Sequence, residues 1–339
     1  MEDWSNCYDP AELRIRLDLA LEENAELREE LARQGIRSVS RPCPQPVGYG
    51  LQHTDIALGD RVQLRITTFN TLFGAHSMQG FGDPERWTGQ MEFLRKLGSD
   101  VVALQECNGW DVLGRQRLHL AVRDAGMAAG VLAEANHTTA GHRFHTAILA
   151  SSRVLLAGEG ANREKYHHTL GWADFFIPGL ARKLEVRNVH LDPFDPHGRI
   201  TEVEPLKIHG DPSRLSIILG DFNSVPPTAP EADWETLPRH SRLHHREIAD
   251  PSRHARTAAE LLISSGLVDT AALTGQEGLP TGGFEAGDVT RRQDLILVSP
   301  PLVPLVTQYN VHMEPVHLGL SDHAAITITL DLNALASDS

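Results

Sequence analysis

Cysteine is scarce in this chain, with only Cys7, Cys43 and Cys107 present. An odd count at spacings that fit no zinc motif excludes a disulfide framework and a cysteine-built metal site, and a chain of 339 residues needs neither to form a core. No apolar run approaches the roughly 18 residues needed to span a bilayer. The first residues, MEDWSNCYDP, carry neither the basic start nor the apolar stretch of an export signal. The expectation is a soluble protein of a reducing cytoplasm. Aromatic residues make up 6% of the chain, and neither an exposed aromatic hairpin nor a basic amphipathic helix suggests a membrane-acting enzyme. Basic charge is also in deficit, since 31 Lys and Arg against 45 Asp and Glu leave a formal net charge of −14. This is the wrong sign for a protein that coats nucleic acid, so any polyanion it binds must be gripped locally.

What is present divides into three regions. Residues 9–34 read as one helix, with Asp9 as cap, Pro10 in the first turn, Glu12 reaching back to the cap and Gly35 as stop. Leu13, Ala20 and Leu27 fall at heptad d positions and Leu17, Asn24 and Leu31 at a positions, a pattern that suits a parallel homodimer. The same leucines would also serve a helix laid on a neighbouring domain. The helix region is taken as 1–37. Residues 38–60, with three prolines, three glycines and no apolar period, read as a linker. From Arg61 to about residue 335 the chain alternates short apolar runs with helical stretches and loops. The runs are QLRITTF, DVVALQE, HTAILAS, KLEVRNVHL, LSIILGDF, DLILVS and AAITITL. Seven buried strands with intervening helices predict a layered α/β domain.

Nearly every run carries a side chain able to bind metal or phosphate near one end. Asn70 follows RITTF, Glu106 follows VVALQ and His190 closes RNV. Asp221 and Asn223 sit in SIILGDFN, Asp294 opens DLILV, and Asp322 with His323 precedes AAITITL. One polar residue at a strand end is commonplace as a cap or a satisfied core group. Eight together are harder to explain that way, because buried carboxylates and imidazoles are costly without compensation. The donor types suggest what compensates them: oxygen ligands from Glu106, Asp322 and Asn70 suit Mg²⁺ or Mn²⁺, ions that take further ligands from substrate phosphate. His190 and His323 could face a phosphate, Asp294 could fix an imidazole tautomer, and Asp221 is suited to take a proton from attacking water. The chemistry described is metal-assisted hydrolysis at phosphorus.

These residues, in order from about Arg61 to Leu332, resemble the endonuclease/exonuclease/phosphatase superfamily, which includes deoxyribonuclease I, abasic-site endonucleases, sphingomyelinases and inositol polyphosphate phosphatases. TTFN, ALQE, NVHL, GDFN, RRQDLILVS and LSDH carry the likeness. The resemblance implies a deoxyribonuclease I-like four-layered α/β/β/α sandwich with the site at one end. It also implies that Glu106 binds the metal, Asn70 and Asp322 support that site and His190 contacts the scissile phosphate. Asp221 would activate water, Asn223 would hold phosphate and Asp294 would support His323. Arg199, Glu202 and Leu206 match a structural helix. Where relatives carry a second catalytic Glu or a Tyr, this chain offers the segment HRFHTAILASS, with Arg143 and His145 as candidates for phosphate contacts.

The densest basic segment lies between 239 and 256, with five Arg and four His, and is where substrate capture is expected in an acidic protein. The reading that follows is a divalent-metal-dependent phosphodiester hydrolase, foremost a nuclease acting on DNA or RNA. The alternative substrate is a small phosphoester such as a phospholipid head group, an inositol phosphate or a nucleotide. A noncatalytic coiled-coil interaction module is the remote third reading.

Overall fold

A computed structural model describes residues 63–76, 82–135, 143–237 and 239–333, all within the unit Gly59–Ser339. The helix expected at 9–34, its homodimer and the linker at 38–60 lie outside the described residues. No helix among the described residues is long and apolar enough to cross a membrane.

Two six-stranded mixed sheets organise the domain. The strands are β1 (Gln63–Asn70), β2 (Val101–Gln105), β3 (Ala129–Ala133), β4 (Thr146–Ala150), β5 (Leu155–Asn162), β6 (Leu170–Phe176), β7 (Leu184–His190), β8 (Leu215–Asp221), β9 (Val268–Asp269), β10 (Asp294–Val298), β11 (Val306–His312) and β12 (Ala325–Asp331). The first sheet runs β11-β12-β1-β2-β4-β3 and the second β5-β6-β7-β8-β10-β9. The seven apolar runs are β1, β2, β4, β7, β8, β10 and β12. Five further strands escaped the sequence pattern, and four of them, β3, β5, β9 and β11, are the sheet edges. An edge strand is half exposed and need not read as an apolar run. β5 (LLAGEGAN) alternates between exposed and partly buried along its whole length.

One apolar cluster lies between the sheets and joins Ile66, Ala103, Ile148, Ile326 and Ile328 to Phe175, Val186, Ile217, Leu219 and Ile296. Side chains of opposite parity point away from it. On the first sheet Phe69, Val102, Leu104 and Leu149 meet the helices α1 (Pro84–Leu97) and α2 (Val112–Asp124) through Met91, Leu94 and Leu118. On the second sheet Val189, Ile218, Leu295 and Leu297 meet α3 (Pro196–Val203) and, beyond α4 (Arg239–His245), α5 (Thr257–Ser264) through Val203, Ala259 and Leu262. α1 shows why its sequence is helical: Asp83 caps it by accepting from Arg86 N at 3.0 Å, Pro84 opens it, and Gly98 closes it in a left-handed conformation.

The mainly apolar layer between the sheets contains a buried amide pair. Gln105 Nε2 donates to Asn188 Oδ1 at 2.7 Å, and Asn188 Nδ2 reaches the carbonyls of Leu104 and Ala147, each at 2.9 Å. Both side chains are fully buried.

Topology collects the strand ends at one place. β1 and β2 run parallel with Asn70 opposite Gln105, and β7 and β8 run parallel with His190 opposite Asp221. β12 is antiparallel to β1, and β10 to β8 with Asp294 opposite Asp221. Residues that end a parallel pair and residues that begin an antiparallel neighbour therefore share one edge of each sheet, so Asn70, His190 and Asp221 meet Asp294 and the residues just before β12.

Candidate active site

Asp221 is the hub of the cluster. Its Oδ1 accepts from the backbone N–H of Asn223 at 2.9 Å and its Oδ2 from Asn70 Nδ2 at 3.2 Å. The Nε2 atoms of His190 and His323 lie 3.7 and 3.8 Å from the same Oδ2. Burial raises the Asp221 carboxyl above its usual range, and the positive charge of His323 opposes that rise. Gly220 before it, at φ 137°, places the chain so close to β7 that an added Cβ would stand 1.9 Å from the Val189 carbonyl oxygen. The glycine of GDFN is thus required by the approach of two backbones. Asn223 at φ 47° turns its amide back, donating from Nδ2 to the Leu191 carbonyl at 3.0 Å.

The two histidines differ in charge. His190 is buried, and desolvation, with the charge of His323 adding to it, lowers its pKa to about 3, so the ring is neutral at pH 7. It lies against the His168 ring, with centroids 4.4 Å apart, and edge-on to Phe144. His323 Nδ1 lies 2.8 Å from Asp294 Oδ2. Burial disfavours its charge, yet Asp294, Asp322 and Asp221 together hold the imidazolium well above the usual histidine range. Asp294 is itself raised by burial.

Glu106 follows β2 in a left-handed conformation, φ 58°, that a residue with a side chain rarely adopts. Its Oε1 accepts from Asn70 Nδ2 at 3.1 Å and its Oε2 from the Phe73 N–H at 2.9 Å. Burial, then the charge of Asp322, raises its pKa to about 7. Asn70 Oδ1 accepts from Leu72 N at 3.1 Å, so this amide presents its donor to Glu106 and Asp221. Asp322 Oδ1 is buried without a hydrogen-bond partner. A buried carboxylate whose ionisation its neighbour opposes, beside a carboxylate with an orphaned oxygen, fits a hard divalent cation. Asp221, Asp294 and His323 also offer ligand atoms within 4.8 Å of one another, so this buried group could hold a metal ion as well.

Arg143 and His145 are engaged elsewhere. His145 opens β4 at the same sheet edge, but its Nδ1 accepts from Ala135 N at 2.8 Å and its Nε2 lies 2.9 Å from Asp111 Oδ1. Arg143 pairs with Asp111 and with the Ala135 carbonyl. Both side chains lock the β3–β4 connection to the start of α2. Four contributors were missed by sequence reasoning. Ser321 Oγ donates to the Asn70 carbonyl at 2.8 Å, and Thr281 Oγ1 accepts from the Gln293 and Asp294 amides. Gln293 Nε2 lies 3.4 Å from His323 Nε2, and His168 is the ring against His190. Ser321 and Gln293 stand inside motifs already singled out, whereas nothing in the sequence separates His168 from the other histidines.

The helix match proves structural. The fully buried Arg199 donates from Nη1 to the Asp192 carbonyl at 2.7 Å. Glu202 accepts from His167 N at 2.6 Å and Asp192 N at 2.8 Å, which holds the loop that follows His190. Removing Glu202 takes away the acceptor of the buried Asp192 amide and of the part-buried His167 amide, at roughly 1–3 kcal/mol each. Glu202→Ala is therefore expected to lower stability by about 2–4 kcal/mol, read from urea midpoints, and a change under about 0.5 kcal/mol would contradict this role.

Residues 67–323 match the endonuclease/exonuclease/phosphatase family, which covers more than half of the chain. No curated protein matches the chain. Among solved structures it is similar to an AP endonuclease from Archaeoglobus fulgidus, at 18% identity and TM-score 0.54, over 79% of this chain and 99% of that one. It is similar to a 3′ phosphatase from Neisseria bound to a product DNA hairpin, at 19% identity and TM-score 0.55, over 79% and 99%. TDP2 from Caenorhabditis elegans matches at 17% identity and TM-score 0.52, over 80% and 74%. At these identities the likeness is one of fold.

Proposed function

The chain belongs to the endonuclease/exonuclease/phosphatase family and is a phosphoesterase of that type, and from this premise we propose that it is a Mg²⁺- or Mn²⁺-dependent nuclease acting on DNA or RNA. The observation that carries the reading is the continuous chain of polar contacts from Glu106 through Asn70 to Asp221, beside His190 and the Asp294–His323 pair. It brings the Glu106 carboxylate, the buried Asp221 carboxylate and two imidazoles of unlike charge around one place. Two of the structural relatives are described as an endonuclease and as a phosphatase bound to DNA, which favours nucleic acid as the substrate class.

Glu106 and Asp322 would hold the cation, with Asn70 orienting the Glu106 carboxylate through its Nδ2 hydrogen. A cation bound there supplies positive charge to the nonbridging oxygens of a phosphate. His190, neutral and buried, donates a hydrogen bond to a phosphoryl oxygen. Asp221 takes the proton of the attacking water, and Asn223 and Asn70 fix its two oxygens. His323, charged and backed by Asp294, stabilises the negative charge that develops at phosphorus. Occupation of the Asp221–Asp294–His323 group by a metal would require His323 to release its proton, which favours Glu106 and Asp322 as the principal site. Isothermal titration with Mn²⁺ separates the two: Glu106→Gln is expected to abolish binding and Asp294→Asn to retain it. The reverse pattern would move the metal to the second site.

Substrate class is tested by incubating the purified protein and Mg²⁺ with supercoiled plasmid, single-stranded DNA, RNA and small phosphoesters. Cleavage of a nucleic acid that falls steeply with salt is expected. The net charge of −14 favours the small-phosphoester alternative, and hydrolysis of small esters alone would establish it and end the nuclease reading. We place the enzyme in the cytoplasm, in keeping with the free, buried Cys107 thiol.

A further inference from the structure

A groove walled by guanidinium groups stands on this acidic chain outside the catalytic cluster. α4 and the β-bridge residue after it place Arg239, Arg242 and Arg246 around a cavity of about 240 Å³ completed by Glu235, Leu243 and Pro251. Arg239 and Arg242, three residues apart, share a face of α4, and Arg246 follows the end of the helix in a β-bridge with His254. Arg239 and Arg246 make no ion pair among the described residues. Arg242 lies 3.2 Å from Glu235, whose side chain is 78% exposed, so that pair sits in water and is weak.

Glu247, Asp250 and Glu231, acidic neighbours of this face in the sequence, are committed elsewhere. Glu247 accepts from Arg256 N at 2.7 Å and from Thr257 N and Oγ1, each at 2.9 Å, at the start of α5. Asp250 accepts from the amide and hydroxyl of Ser252. Glu231 is taken by Arg256 Nη2 at 2.7 Å and by His254 N, also at 2.7 Å. Arg256, the fifth arginine of the basic segment, is buried and turned inward. Three guanidinium groups thus share one exposed carboxylate, and the exposed Leu243 side chain supplies an apolar surface among them.

Both ends of this arm are fixed to segments that leave the catalytic cluster. Arg199 Nη2 donates to the His244 carbonyl at 2.8 Å while its Nη1 holds the Asp192 carbonyl, two residues beyond His190. At the other end Val225 N and Ser224 Oγ donate to the Ala255 carbonyl at 2.9 and 3.0 Å, directly after Asn223. The arm is therefore held in register with His190 and Asp221.

We infer that Arg239, Arg242 and Arg246 form a clamp for the sugar-phosphate backbone of a nucleic-acid strand, gripping phosphates other than the one being cleaved. The inference rests on the nuclease reading and deepens it. Guanidinium groups bind phosphate oxygens in pairs. Arg239 and Arg242 stand about one helical turn apart and Arg246 lies beyond the helix end, so the group offers several separate contacts to a backbone that carries one phosphate per nucleotide. A strand, with one phosphate per nucleotide, is the occupant that uses all three arginines while another of its phosphates lies in the catalytic cluster.

The test uses the full chain, a fluorescein-labelled single-stranded DNA of about 20 nucleotides, anisotropy across a salt series in EDTA, and cleavage of the same strand in Mg²⁺. The triple variant Arg239→Gln/Arg242→Gln/Arg246→Gln is expected to bind roughly 10–100-fold more weakly and to lower the slope of log affinity against log salt by about 2. The single variants Arg239→Gln and Arg246→Gln should each lower it by about 0.7. Tm and hydrolysis of bis-p-nitrophenyl phosphate should stay at wild-type levels in the single variants. They keep the clamp testable if the triple variant folds poorly. Unchanged slopes in an enzyme that does cleave the strand would overturn the clamp and leave the nuclease reading intact. A wild-type protein that neither binds nor cleaves it would remove both.

Discussion

Asp221→Asn is expected to slow phosphoester hydrolysis by roughly 10³-fold in kcat, the scale on which a positioned general base contributes, with a much smaller change in KM. The carboxylate has no slack in its surroundings. One oxygen is held by the Asn223 amide and the other by Asn70 Nδ2. A carboxamide can accept at only one of those positions and sets an N–H₂ group against a donor at the other, so the substitution removes both the base and the geometry. Steady-state kinetics on a small phosphodiester give the readout without interference from strand binding. A decrease below about tenfold would show that Asp221 is not the proton acceptor, and His190 would inherit that role.

Glu106→Gln is expected to act on activity and stability in opposite directions. Metal-dependent turnover should fall by at least about 10²-fold, since the principal cation carboxylate is gone. The cation-free protein should become more stable at neutral pH. The sign follows from the pKa of about 7, which lies above the ordinary value of 4.5. Between those two values the folded state holds a proton that the unfolded state has released, so wild-type stability falls as pH rises through that window and stays low above it. Glutamine carries no charge to bury and removes that penalty, but sets its N–H₂ against either Asn70 Nδ2 or the Phe73 N–H, which leaves a net gain on the order of 1–2 kcal/mol above pH 7. Thermal unfolding in EDTA from pH 4 to 8 measures both. The wild-type Tm should fall relative to that of the Glu106→Gln protein as pH rises over that range, and adding Mg²⁺ at pH 8 should raise the wild-type Tm alone. A Tm difference that does not change with pH would mean that the carboxylate is already neutralised by other groups.

The catalytic cluster was legible in the sequence because strand ends are legible. A run such as SIILGDFN is buried on both faces, so a charge at its end stands out from the apolar background. The parallel and antiparallel register then carries Asn70, His190, Asp221 and Asp294 to one edge. What stayed hidden depends on partners far away in the chain. Arg143 and His145 stand beside a strand at the same edge, as good candidates do, but Asp111 claims both. No local pattern announces a carboxylate some thirty residues upstream. His168 stacks on His190 across a fold-dependent gap and looks, in one dimension, like any other imidazole. Edge strands such as β5 and β11 carry alternating or polar residues whose strand character comes from the neighbour they pair with. The glycine of GDFN was visible from the start, but its reason, the Val189 carbonyl in its path, belongs to the packing of β7 on β8.

The buried amide pair between the sheets has a consequence of its own. Two greasy layers pressed together tolerate a small slide, because contact between methyl groups has no preferred direction. Gln105 and Asn188 do have one, and they stand one residue before Glu106 and two before His190. They act as a dowel through two plates, fixing the offset at which each half of the reaction centre is presented to the other. Any chimera that grafts the second layer from a relative onto the first would inherit a misaligned centre unless this pin and its socket travel together.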